Sequence, residues 1–367
     1  MENGMTLLEA QLTNWLSRQT ARTGVRRVAH LGAAVGTDVG LVRTENQDRA
    51  VIVQGWEANG TRFSVALVAD GIGGMRGGGT CASLAVSGFI SSICESAASH
   101  GSSIDWLKNA AIRANSAVYE KFYGDGGSTL VAALIRHGRT PCWMSVGDSR
   151  IYLEGELKLK RLTIDDTIAG QLGKDAAESP DQARLLQYVG MGSDFQPHVH
   201  ELDAVTSGRM LLVTDGVHYL SKFSSCMEKV VSIASEPGVC VKRLVELANW
   251  CGGHDNATVA VLPVLIEEEC VKTDSTGVIE VWDSFGECQF FLGSTLSNLN
   301  RNNGKGRVQP SRSREESVAS KTAVKQRSAG STKKTRPQKV VGRKEKSVEL
   351  TKSNEPQLIM EFPNKKK

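Results

Sequence analysis

The chain has 367 residues, 23% of them charged and 40% hydrophobic, with a formal net charge of +4. No uninterrupted run of about eighteen apolar residues occurs, which argues against a membrane span, and no charged leader with an apolar core and small-residue cleavage site opens the chain, which argues against a signal peptide. Eight cysteines form no C-x-x-C pair, so neither a zinc ribbon nor a disulfide framework is indicated, and a reducing cytoplasm is the expected compartment.

In chain order, Leu8, Leu12, Trp15 and Leu16 recur at helical spacing. This predicts a helical extension over residues 1–30 that packs on the domain or, in a second reading, binds a partner. Short runs rich in Val, Ile and Leu at 50–53, 63–69, 129–135, 142–146, 151–153, 210–214 and 257–265 predict strands of buried sheets. Helical patterns fall at 80–98, 104–122 and 238–251. Strands, two helices, more strands, a helix and a final strand make an α+β layered domain over 31–267 rather than an alternating parallel one.

Residues 277–292 predict a hairpin around Ser284–Gly286, inside a short extension over 268–300. The segment 301–367 carries 19 Lys and Arg against 6 Asp and Glu, net +13, leaving 25 against 34, net −9, on residues 1–300. An acidic body thus precedes a basic tail with too little apolar surface to offset its ordering entropy, and disorder is expected there. Three readings of the tail follow: a solvated linker, attachment to an acidic partner, and nonspecific nucleic-acid contact. The last is the least favoured, because interleaved aromatics are missing.

The informative chemistry is where the aspartates fall. Asp70 ends FSVALVA and precedes Gly71; Asp215 ends MLLVT and precedes Gly216; Asp148 follows CWMSVG; Asp255 and Asn256 precede ATVAVL; Asp48 stands just before AVIV. A lone Asp beside glycine is ordinarily a turn former or cap. The repeated strand–Asp–Gly grammar instead points to carboxylates meeting at one end of a sheet. Such a cluster persists only with compensating cations, and oxygen-only donors select hard ions such as Mg²⁺ or Mn²⁺.

GTDVGLVRTENQDR, ALVADGIGGMRGG, GGSTLVAALI, SVGDSRIYL, LTIDD, YVGMGSDFQPHV, LLVTDGV and DNATVAVL stand in one order over residues 33–265. This set resembles the type 2C, or PPM, metal-dependent Ser/Thr protein phosphatases, bacterial branch. The resemblance implies a four-layer α-β-β-α sandwich with two central, mostly antiparallel sheets. It implies that Asp70 bridges two Mn²⁺ or Mg²⁺ ions, that the Gly71 carbonyl binds one, and that Asp215 and Asp255 hold the other. Asp48 would support the site through water, Asp148 would help hold a third ion, and Arg43 would engage the substrate phosphate.

The implied reaction is attack on a phosphoprotein monoester by a hydroxide shared between the two ions, without a phosphoenzyme. The implied partners are phosphoserine and phosphothreonine proteins and an opposing Ser/Thr kinase. Three positions depart from the resemblance. Gln47 stands where many members carry Glu, Ile72 where eukaryotic members carry His, and Asp166 where L-T-x-D-H carries His. Gln47 and Asp166 keep an alternative open, a phosphatase-like sensing or binding module with little catalysis. Segment 165–200, between the matched motifs, is expected to form a mobile flap beside the site.

Overall fold

The structure, a computed structural model, describes residues 5–292 except 100, 156–157, 175–182, 203–207, 223–224 and 266–276. The predicted basic tail lies outside the described residues. In chain order the helices are α1 (Leu7–Leu16), α2 (Gly78–Ala97), α3 (Ser103–Phe122), α4 (Ile168–Gln171), α5 (Asp215–His218), α6 (Cys226–Ile233) and α7 (Pro237–Trp250). The strands are β1 (Thr23–Val28), β2 (Ala33–Asp38), β3 (Arg49–Trp56), β4 (Arg62–Ala69), β5 (Leu130–Arg136), β6 (Cys142–Val146) and β7 (Arg150–Glu154). They continue with β8 (Leu159–Arg161), β9 (His198–Glu201), β10 (Arg209–Val213), β11 (Ala257–Pro263), β12 (Val278–Trp282) and β13 (Glu287–Phe291).

Two sheets form, a six-stranded one in the order β1-β2-β11-β10-β7-β8 and a seven-stranded one in the order β13-β12-β3-β4-β5-β6-β9. All described pairings are antiparallel. Because successive side chains of a strand face opposite ways, fully apolar strands feed two cores at once. In β4, Val65, Leu67 and Ala69 pack with α1, α2 and α3, whereas Ala66 and Val68 face the other sheet. In β10, Met210 and Leu212 join that inter-sheet core, and Leu211 and Val213 pack under α6 and α7. Three cores separated by two sheets give the α-β-β-α sandwich.

The outer helices follow from their patterns. Thr6 caps α1 in a capping box with Glu9, and Leu12 and Leu16 are buried against α2. Among the described residues α2 alone is long and apolar enough to resemble a membrane span, but most of it is buried inside the fold. Glu236 caps α7 and Pro237 occupies its first turn.

The structure differs from the sequence reading at two early elements. β1 lies inside the stretch read as a helical extension, and β2 went unread. β1 is an edge strand with one half-exposed face, TGVRRV, and β2 is AAVGTD, small residues without the bulk by which a strand is recognised. β12 and β13 pair around a turn at Ser284–Gly286, and β12 extends the seven-stranded sheet through β3.

Candidate active site

Pairing register brings one end of every central strand together. Arg49 of β3 lies opposite Ala69 of β4, so Asp48 and Asp70 are adjacent. Leu130 of β5 pairs with Val146 of β6, bringing Thr129 beside the Gly147–Asp148 turn. On the other sheet Val213 of β10 pairs with both Val259 of β11 and Arg150 of β7, placing Asp215, Asp255 and Asp148 at the same end. A cavity of about 520 Å³ opens there, lined among others by Arg43, Asp70, Asp148, Asp215 and Asp255. Asp48 sits behind it, 3% exposed.

Two glycines make the approach possible. A Cβ on Gly71 would collide with the backbone of Gly78, and one on Gly216 with the carbonyl of Asn256. Asn256 in turn fixes the 39–47 loop. It donates to the carbonyls of Val39 and Glu45, each at 2.9 Å, and accepts from the Gln47 N–H at 2.8 Å.

Threonines and a histidine tie down the segments that carry the acids. Asp48 Oδ2 accepts from Thr258 Oγ1 at 2.6 Å and Thr214 Oγ1 at 3.0 Å. The Asp70 N–H donates to Thr129 Oγ1 at 3.0 Å, and Thr129 pairs with Ser149 at 2.8 Å. Burial pushes the His218 imidazole well below its usual pKa, so it is neutral, and its Nε2 donates to the Asp148 carbonyl at 3.1 Å. Sequence reasoning missed Thr129, Thr214, Thr258 and His218 as supports. Only Thr214 adjoins a candidate aspartate in the chain, and nothing in the sequence marks the other three.

Electrostatically the site is underneutralised. Burial first, then neighbouring carboxylates, drive Asp70 well above the ordinary carboxylate range. Burial raises Asp148 to about 8, with Asp215 adding to the effect. Asp48 is pushed to about 7, chiefly by burial, although Thr258 opposes it. Asp215 rises to about 6 through burial and the charge of Asp255. Among the described residues, Asp48 Oδ1 and Asp215 Oδ1 are buried without a hydrogen-bond partner.

The main cation among the described lining residues is Arg43, whose Nη2 lies 2.7 Å from Asp255 Oδ2 at the half-exposed mouth. That hydrogen bond raises the arginine's pKa. Among the described residues no three acids or imidazoles stand as a closed ligand set; they share a cavity instead. Unpartnered buried carboxylate oxygens, acids held near neutrality and a donor set of oxygen alone fit hard divalent cations.

Of the three departures, Gln47 and Ile72 line the cavity, with Gln47 Nε2 donating to Glu45 at 2.5 Å. Asp166 does not line it. Instead Asp166 accepts from the Gly147 N–H, Gln187 and His198. Of the expected flap, Leu185 and Tyr188 line the cavity, while 175–182 lies outside the described residues.

A profile of the family described as Protein phosphatase 2C matches residues 41–249, more than half of the chain. A putative protein phosphatase 2C-type protein of Streptococcus pyogenes is 27% identical over 241 residues, 62% of this chain and 94% of its own length. Serine/threonine protein phosphatase PstP of Mycobacterium tuberculosis is 28% identical over 243 residues, 63% of this chain but only 45% of its own length.

Among solved structures, the PPM Ser-Thr phosphatase MsPP from Mycobacterium smegmatis, in complex with cacodylate, superposes with a TM-score of 0.51 at 30% identity. That match covers 63% of this chain and 97% of MsPP. The catalytic domain of PstP, in complex with two manganese ions, gives 0.50 at 27% identity over 66% of this chain and 98% of that one.

Proposed function

The chain belongs to the bacterial PPM, or protein phosphatase 2C, family of Ser/Thr protein phosphatases, and on that premise we propose that it hydrolyses phosphoserine and phosphothreonine monoesters at the acid-lined cavity. The observation that carries this reading is the buried, underneutralised carboxylate set with two unpartnered oxygens, on Asp48 and Asp215. Asp70, the Gly71 carbonyl, Asp215 and Asp255 would hold two ions, Mn²⁺ or Mg²⁺. Asp48 would stand behind them, and Asp148 would help to hold a third. Bound there, such ions supply a nucleophile at neutral pH and neutralise the phosphoryl oxygens.

The chain's own residues do the rest. Arg43 stands at the mouth with five N–H donors, enough to keep one contact to Asp255 and grip two phosphate oxygens as a fork. Ile72, Met75, Leu185 and Tyr188 give the cavity an apolar wall, which limits water around the ester and strengthens the charge interactions inside. The phosphoryl group passes directly to water. Among the described lining residues there is no cysteine, serine or histidine, and the Thr129 hydroxyl is engaged by Asp70 and Ser149.

The substrates are phosphoproteins, and an opposing Ser/Thr kinase is the natural counterpart. Seven described cysteines are free thiols, which suits the cytoplasmic placement that belongs to this proposal.

Phosphate release from a phosphothreonine peptide in the presence of Mn²⁺, compared with Asp70→Asn, tests the reading. Turnover in the wild type and a fall of about a hundredfold or more in the variant are expected, since a carboxylate that would hold the ions is removed. Equal, negligible rates in both would leave a phosphatase-like sensing module in its place.

A further inference from the structure

Asp166 is 4% exposed and lies outside the acid cavity, yet its carboxylate gathers donors from three separate segments. Oδ2 accepts from the Gly147 N–H at 2.9 Å and from Gln187 Nε2 at 3.0 Å, and Oδ1 accepts from His198 Nε2 at 2.8 Å. The backbone repeats two of these ties. The Asp166 N–H donates to the Gly147 carbonyl at 2.9 Å, and the Leu186 N–H donates to the Asp166 carbonyl at 2.8 Å. One buried side chain therefore joins the turn that carries Asp148, the segment whose Leu185 and Tyr188 form the cavity wall, and strand β9.

Its neighbour makes the contrast plain. Asp165 is equally buried, but it pairs with Arg150 and Arg161. Among the described residues these two pairings join β7 and β8 to the segment after β8. The charged groups around the pair are thus divided, with Arg150 and Arg161 on Asp165 and the half-exposed His198 on Asp166. Asp166 takes the links that lead to the site.

We propose that Asp166 is a positioning residue, backed by His198, that fixes the Gly147–Asp148 turn and the Leu185–Tyr188 wall at one separation across the cavity. The proposal rests on the reading that Asp148 helps to hold a divalent ion. Removing the carboxylate frees the Gly147 N–H and unties Gln187 together, so ion binding and substrate binding weaken in the same variant. Asparagine at this position should restore both. Its oxygen can take the place of Oδ2 for Gly147 and Gln187, and its amide can donate to a neutral His198.

The test titrates Mn²⁺ alone into the full chain, followed by electron paramagnetic resonance. It also measures KM and kcat separately on a phosphothreonine peptide. Asp166→Ala is expected to weaken the loosest Mn²⁺ about tenfold, the size of effect seen when a residue supporting a ligand is lost, and to raise KM. Asp166→Asn should return both to near the wild-type values while the His198 imidazole titrates at lower pH by NMR.

Should Asp166→Ala fail to fold, Gln187→Leu carries the test, read against Gln187→Glu. The latter keeps the acceptor for the Gln196 N–H at 2.7 Å and loses only the donor to Asp166, so that both variants loosen the wall and leave the Gly147 tie intact. The expectation is then a KM about threefold higher with Mn²⁺ affinity unchanged. Wild-type Mn²⁺ affinity and KM in Asp166→Ala, with only a lower melting point, overturn the proposal, as does an unaltered KM in Gln187→Leu. A wild-type chain that binds no Mn²⁺ overturns the acid-site reading, and this inference with it.

Discussion

At the scale of single residues, Thr258 shows how the fold tunes an acid it cannot neutralise. Its one hydroxyl proton goes to Asp48 at 2.6 Å, so Thr37, 2.6 Å away, must donate to Thr258, and Asn46 donates to Thr37 at 2.8 Å. The chain of donors runs one way, toward the carboxylate, and it stabilises the charged form of Asp48 against its burial. Thr258→Val keeps the shape and removes the donor. Asp48, already raised to about 7 in the ion-free fold, should rise further, read by carboxyl NMR of the ion-free protein, and Mn²⁺ should bind more weakly at neutral pH because more protons must leave. An unmoved Asp48 titration would detach the Thr258 hydroxyl from this role.

The five aspartates were legible in the sequence because each stands at one end of an apolar strand run, Asp48 and Asp255 before it and Asp70, Asp148 and Asp215 after it. The threonines were not, since Thr is an ordinary strand residue and nothing local tells a hydroxyl aimed at a carboxylate from one aimed at backbone. Asp166 was visible only as a departure. What it holds depends on Gln187 and His198, which lie 21 and 32 positions away in the chain.

At the scale of elements, the hairpin formed by β12 and β13 is tied to the N-terminal region by Arg26 to Glu287 at 3.3 Å and, at its turn, by Asp283. Asp283 Oδ1 accepts from the N–H groups of Phe285 and Gly286 at 2.8 and 2.7 Å and from Arg18 Nη2 at 2.8 Å. Arg18 also lies over the Trp15 ring, 4.2 Å from its centroid, so the end of α1 and the hairpin turn share a charged hinge pin. Asp283→Ala should cost about 1.5–3 kcal/mol, the range for hydrogen bonds to a charged group. Urea unfolding measures this, and phosphatase turnover in the absence of urea should change little because the acid cavity is not lined by Asp283. A stability loss below about 0.5 kcal/mol would place the pair with ordinary surface bridges.

Legibility at this scale followed side-chain bulk. The runs at 63–69 and 142–146 announce β4 and β6, whereas β2 is hidden by its small residues. Gly36 in β2 is bare because a Cβ there would collide with Val241 of α7. The helix that covers the sheet thus erases the signal that would have revealed the strand.

At the scale of the whole molecule, the acid cavity sets how stability depends on pH. Asp48, Asp148 and Asp215 have folded pKa values raised to about 7, 8 and 6, above those of an unfolded chain. Their contribution to stability is therefore fully present below the unfolded pKa, near 4, and is lost as pH rises through the folded values. The ion-free protein should lose melting temperature between about pH 5 and pH 8. Mn²⁺ should reverse the trend, stabilising more at pH 8 than at pH 5 and releasing protons on binding. Calorimetry in two buffers of different ionisation enthalpy reads the proton release directly. No release at pH 6 would mean that the acids are already ionised in the ion-free fold.

Asp48 and Asp70 flank strands of the seven-stranded sheet and Asp215 and Asp255 flank strands of the six-stranded one, while Asp148 sits on the link between β6 and β7 that crosses from one to the other. Cations seated among them would stitch the two slabs at one rim, like a clasp on the covers of a book. A copy whose slabs had slid past each other by one residue could not close that clasp, so the chemistry doubles as an inspection of assembly, and misbuilt molecules would be silent rather than indiscriminate.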